Sequence, residues 1–138
     1  MREIKFRVYD DKLHTMKDVI YIDYPGKKVI YRINDDGLDV YKPFNEVDIM
    51  QYTGFKDKNE VEIYGGDILD FILYDYNGRG TQYRGYVYMD RYGTFIKTSL
   101  DEDEFTETFD FVATIIQDSD DLEVIGNIYE NPELLEEY

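Results

Sequence analysis

Runs of β-favouring residues alternate with turn formers from residue 4 to residue 98, and this alternation constrains the fold more than any other feature of the chain. Ile4, Phe6 and Val8 alternate with Lys5, Arg7 and Tyr9, the period of a half-buried strand. Val19 to Tyr24 and Lys28 to Ile33, rich in Val, Ile and Tyr, flank Pro25-Gly26. There Pro presets φ and Gly tolerates φ > 0, so the pair predicts a hairpin. Asp35-Asp36-Gly37 is the next turn, followed by a short apolar piece, Leu38 to Tyr41. Residues 45–52 read as a short strand or one helical turn, with Thr53-Gly54 as a break. After Gly65-Gly66-Asp67, the stretch Asp67 to Tyr74 reads as a buried strand. Asn77-Gly78 is a hairpin signal, returning through Thr81 to Met89, and Asp90-Arg91-Tyr92-Gly93 turns into Thr94 to Thr98. Short strands with glycine turns at this spacing predict a small barrel or sandwich.

Beyond Ser99 the pattern is ambiguous. Phe105, Phe109, Val112, Ala113 and Ile116 lie at helical spacing, whereas Phe109, Phe111, Ala113 and Ile115 lie at strand spacing. Periodicity alone leaves residues 103–117 open between helix and strand. Asp118-Ser119-Asp120-Asp121 reads as a loop and Leu122 to Tyr129 as a strand interrupted by Gly126. Asn131 is placed to cap a short terminal helix, with Pro132 at its first position.

Charge restricts the function classes. The chain of 138 residues carries a formal net charge of −16, and residues 99–138 contain fourteen Asp or Glu and no Lys or Arg. Residues 1–32 lean the other way, with eight Lys or Arg against five acids. Binding along nucleic acid depends on clustered Lys and Arg, which this balance lacks. With no cysteine, disulfides, thiolate nucleophiles and Cys-ligated zinc are excluded together. No apolar run approaches the ~20 residues of a membrane helix, and no apolar leader follows Met1. A location in the cytoplasm, without membrane contact, is the expectation.

Catalytic constellations are not evident. His14 is the single histidine, and Ser99 and Ser119 have no Gly-x-Ser-x-Gly turn around them. Gly65-Gly66-Asp67 and Gly78-Arg79-Gly80 lack the following helix whose N-terminus holds phosphate. Asp67 and Asp70, three apart on a strand, point to opposite faces. The clusters Asp101-Glu102-Asp103-Glu104 with Glu107, and Asp118, Asp120, Asp121 and Glu123, are weighed as oxygen ligands for calcium or magnesium, but neither has the glycine of an EF-hand loop. They read as solvated charge. The expectation is a non-enzyme with no cofactor and no metal.

Three landmarks carry a family resemblance: Met1-Arg2-Glu3-Ile4-Lys5-Phe6-Arg7 with Tyr9-Asp10; Met50-Gln51-Tyr52-Thr53-Gly54-Phe55-Lys56-Asp57-Lys58-Asn59, continued by Ile63-Tyr64-Gly65-Gly66-Asp67-Ile68; and Val124 to Leu135. In this order they resemble the YopX family, small proteins of phages and prophages. Gly65 stands where the family commonly has an acidic residue. The resemblance implies one mainly β domain over 1–138. Its SH3-like barrel core would span about 50–130, with N-terminal hairpin strands over 1–49 and a short C-terminal helix. It implies action in the host bacterial cytoplasm and carries no activity with it.

The functional expectation is a non-enzymatic interaction or regulatory factor, whose protein partner, host or phage, recognises charge. Self-association through the oppositely charged ends is one form of this. The alternatives are a nucleic-acid-binding small β-barrel using its aromatics, or an acidic mimic of DNA that inhibits a host nucleic-acid-binding protein. Candidate partner-binding residues are Tyr52, Phe55 and Tyr64 as an aromatic edge, and the acidic run Asp101, Glu102, Asp103 and Glu104.

Overall fold

The computed structural model describes residues 3–33, 37–101, 105–118 and 120–136. The chain forms two compact units, Met1–Tyr52 and Thr53–Tyr138. It is mainly β, in two antiparallel sheets, and neither closes on itself into the SH3-like barrel that the resemblance implies.

The first unit contains β1 (Phe6–Asp10), β2 (Thr15–Asp23), β3 (Lys28–Arg32), β4 (Asp39–Pro43) and the start of β5 (Val47–Lys56), after a 3-10 turn at Phe44–Glu46. Their order is β4-β3-β2-β1-β5. One sheet face gathers Val8, Val29, Tyr31 and Val47 with Val19, Ile22, Val40 and Phe44. Val8 is fully buried on this face, but the alternation read over residues 4–9 holds only in part: Ile4 precedes β1 and is 76% exposed, and Tyr9, expected to face outward, is buried. The Pro25-Gly26 hairpin forms, but Lys27 takes the left-handed φ of 53°. A Cβ at Gly26 would run into the Asp23 carboxylate, which accepts the Gly26 amide at 3.0 Å, so a larger residue there would displace that side chain.

Asp10 closes the β1–β2 turn from inside this unit. It is 1% exposed. It accepts from the amides of Lys12 and Leu13 and from the Tyr31 hydroxyl at 2.6 Å, and lies 3.5 Å from the Lys42 ammonium. Burial pushes its pKa up, but the Tyr31 hydroxyl, the two amides and Lys42 outweigh it, so the carboxyl titrates below its ordinary value. Burial, and then the same contact, push Tyr31 far above the usual phenol range.

Thr53-Gly54 does not end β5. The strand runs on to Lys56 with Gly54 at φ 90°, a conformation that glycine adopts without strain. In the second unit β6 (Glu62–Tyr64) lies beside the end of β5. The main sheet there has the order β10-β9-β8-β7-β11, built from β7 (Asp67–Tyr74), β8 (Gly80–Asp90), β9 (Gly93–Lys97), β10 (Thr108–Asp110) and β11 (Glu123–Asn127). Both faces of β7 are covered, which explains the consecutive apolar residues on either side of Asp70, Ile68-Leu69 and Phe71-Ile72-Leu73. Leu69 and Phe71 join Ile63, Val87, Ile96, Phe111, Ile115 and Leu122 on one side. Ile68 joins Tyr86 and Leu135 on the other.

Within the ambiguous stretch 103–117, of which residues 103 and 104 lie outside the described residues, a short strand is followed by a helix. β10 ends at Asp110, whose side chain caps α1 (Phe111–Gln117) by accepting the Ala113 amide at 2.8 Å. Phe111, Thr114 and Ile115 face the core, whereas Val112 and Ile116, taken above at helical spacing, face solvent at 45% and 75% exposure. The C-terminal helix α2 (Glu133–Glu136) forms as expected. Asn131 does not cap it, because its side chain turns back to accept the Asn127 amide at 3.2 Å.

Candidate interaction surface

The two most distinctive segments of the sequence meet in the second unit, and what joins them is structural. Asp57, 5% exposed, accepts from the amides of Asn59, Val61 and Val124. The Lys58 amide donates to the Leu122 carbonyl, and its ammonium lies 3.4 Å from Glu123. Asp67, 1% exposed, accepts the Tyr64 amide, which fixes the Gly65-Gly66 turn. The Gly66 carbonyl in turn accepts from Ile128. Asn127 accepts from Tyr129 and Glu130 and donates to the Glu130 carboxylate. These side chains supply turn backbones with partners; the Tyr64 amide is buried and the others are partly buried.

The aromatic edge expected from Tyr52, Phe55 and Tyr64 is not an exposed one. Tyr52 and Tyr64 are each 5% exposed, and Phe55 packs edge-on against Phe111 at 5.8 Å. Tyr52 and Phe55 lie on β5, which continues through Gly54, and Tyr64 lies on the edge strand β6, where its ring is nevertheless buried. Of the acidic run, Asp101 is exposed, and its carbonyl accepts from Ser99 and Thr106. Glu102, Asp103 and Glu104 lie outside the described residues, as does Ser119. His14 sits in the β1–β2 turn at φ 50°, with Nδ1 3.5 Å from the Tyr9 hydroxyl. Among the described residues no group of three or more His, Asp or Glu is arranged to hold a metal ion. No helix among them is long and apolar enough to cross a membrane.

Charge divides sharply between the units. Residues 1–52 carry nine Lys or Arg against ten Asp or Glu, whereas residues 53–138 carry six against twenty-one, a net of −15. The few cations of the second unit are largely occupied within it. Arg84 makes a two-pronged pair with Asp70 at 2.7 and 3.2 Å and also donates to the Leu134 carbonyl. Lys56 pairs with Glu60, Lys58 with Glu123, and Lys97 lies 3.8 Å above the Tyr88 ring. Asp118, buried at the end of α1, accepts the Ile72 amide. Burial pushes its pKa up, the Ile72 amide opposes that, and Asp121 and Asp120 push it further in the same direction as burial. A cleft of about 240 Å³ opens between Gln82, Arg84, Thr98, Ser99, Glu107 and Leu135.

The sequence of residues 5–136 matches the family model described as "YopX protein", and the chain belongs to that family. A solved structure titled "Crystal structure of protein EF1440 from Enterococcus faecalis" is similar, with a TM-score of 0.60 and 27% identity over 98% of this chain and 99% of that one. No curated protein matches.

The sequence exposed the acidity of the C-terminal third. It missed that Val112 and Ile116 are the solvent side of α1. Their helical spacing was visible, but only the cap at Asp110 and the burial of Phe111 and Ile115 set which side faces out.

Proposed function

We propose that this protein is a non-enzymatic interaction or regulatory factor, encoded by a phage or prophage, that acts in the host bacterial cytoplasm on a protein partner with a basic surface. The observation that carries the reading is the net charge of −15 on residues 53–138, in a unit whose own cations mostly face its own carboxylates or rings. A field of one sign steers an oppositely charged partner and repels nucleic acid. The origin and location rest on the family resemblance.

The test is recovery of the tagged full chain from phage-bearing host cells. The expected result is a specific co-purifying protein whose binding weakens steeply with added salt, as solvent-exposed charge pairing does. Recovery of nucleic acid as the main partner, or of a partner indifferent to salt, overturns the reading.

A further inference from the structure

A seven-residue helix with an apolar outer face is a feature that the fold does not need. α1 buries Phe111, Thr114 and Ile115, and these account for its packing. Val112 and Ile116, one turn apart, nevertheless point outward, with Ala113 exposed beside them. Solvent-facing helix positions ordinarily carry polar residues. At its C-terminal end the helix is tied to the end of β7 by Gln117, whose Nε2 donates to the Tyr74 carbonyl at 3.0 Å. Tyr74 is 43% exposed, and Tyr76, in the turn that follows, is 98% exposed. The Gln117–Tyr74 bond sets the Ile116 end of α1 beside the end of β7, where Tyr74 and Tyr76 are exposed. Contiguous exposed apolar groups rimmed by polar ones mark interaction sites.

The rim is acidic. Asp110 begins the helix, Asp120 and Asp121 follow it, and Asp75 lies between Tyr74 and Tyr76; all four are exposed. The nearby cations are Arg79 in the hairpin turn and Lys58, which pairs with Glu123. An apolar face inside a carboxylate rim is complementary to one chemistry: a helical segment with apolar residues on one side and Lys or Arg around them.

We infer that the outer face of α1, with Val112 and Ile116, together with Tyr74 and Tyr76 of the adjoining hairpin, docks a basic amphipathic helix of a partner protein. This rests on the charge-driven reading above and names the kind of segment that such a partner presents.

Two labelled synthetic peptides of equal positive charge separate the terms: a Leu/Lys amphipathic helix and an oligolysine. Their binding to the full chain is followed by fluorescence anisotropy. The amphipathic peptide is expected to bind about tenfold tighter than oligolysine, the return on burying one aliphatic side chain. The double substitution Val112→Ser with Ile116→Ser, or Ile116→Ser alone, is expected to erase that margin while leaving oligolysine binding unchanged. Leu38→Ser, at an exposed site in the first unit, is expected to leave the margin intact. Both substituted α1 positions are exposed, and a thermal melt confirms that the variants fold.

Equal binding of the two peptides, or a margin that survives Ile116→Ser, overturns the inference and leaves the charge reading standing. Binding of neither peptide overturns both. Sedimentation of the free protein adds a further outcome. A dimer that Ile116→Ser dissociates would assign the face to a second copy and overturn the inference.

Discussion

The Asp57 carboxylate reaches across sixty-seven residues of chain to accept the Val124 amide at 2.9 Å through Oδ2, while its Oδ1 holds the amides of Asn59 and Val61 at 2.8 and 2.9 Å. One buried side chain thus closes a local turn and anchors β11. Asp57→Ala leaves three partly buried backbone donors without this acceptor; a fully buried unpaired donor costs about 1–3 kcal/mol, and water reaching Asn59 and Val61 relieves part of that. A loss of about 3 kcal/mol is expected in urea unfolding. Asp57→Asn is expected to fall between, at about 1–2 kcal/mol, because its amide oxygen keeps one side of the site and its NH₂ meets another donor on the other.

How much of this was legible in the sequence depends on the reach of each interaction. The strand Asp67–Tyr74 and the Asn77-Gly78 hairpin were readable to within a residue, because pattern and turn chemistry are local. The polar run Lys56-Asp57-Lys58-Asn59 marks a turn, so the local role of Asp57 follows from the sequence. Its second partner, Val124, does not, since nothing local encodes a contact at that separation. The same limit misplaced Tyr52 and Tyr64. A glycine at position 54 reads as a strand break from the sequence, but the strand passes through it at φ 90° and carries both flanks into sheet. The excess of carboxylates was plain, whereas which of them are buried partners of backbone, as Asp57, Asp67 and Asp118 are, needed the packing.

Gly126 and Asn131 form a second pair with a measurable coupling. A Cβ at Gly126 would lie 2.6 Å from Asn131 Oδ1 and 2.9 Å from its Cγ, displacing the side chain that accepts the Asn127 amide. Gly126→Ala is expected to cost about 1–3 kcal/mol, as overpacking does. In an Asn131→Ala background the obstructing amide is gone, so the added cost of Gly126→Ala is expected to shrink. The double-mutant cycle from thermal or urea melts reads this coupling directly. Additive costs would show that the clash is relieved elsewhere.

Tyr31 and Asp10 make the first unit sensitive to acid. The folded pKa of Asp10 is depressed, so its contribution to stability is present above the unfolded value and is lost as pH falls through the folded one. Tyr31→Phe removes the strongest contact that holds the carboxylate down. It is expected to lower stability near neutral pH by about 1.5–3 kcal/mol, the range for a hydrogen bond to a charged group. The gap from the native chain should narrow as pH falls through the folded pKa of Asp10. Urea unfolding at a series of pH values from neutral downward checks both parts. A gap that is constant with pH would mean that the hydroxyl does not act through this carboxylate.

Asp118 has the opposite sign. Its folded pKa is raised above the ordinary value, first by burial and then, against the Ile72 amide, by Asp121 and Asp120. The folded state therefore takes up this proton before the unfolded state does. As pH falls from the raised folded value toward the ordinary one, this group adds stability, and above that window its ionised form subtracts from it. Asp118→Asn keeps an oxygen to accept the Ile72 amide and carries no charge. The variant is expected to be more stable than the native chain near neutral pH, with the advantage disappearing on acidification as the native carboxyl protonates. Denaturant midpoints of the two proteins, compared from neutral pH down through the carboxylate range, should converge. A variant less stable at every pH would show that the Ile72 contact depends on the carboxylate charge.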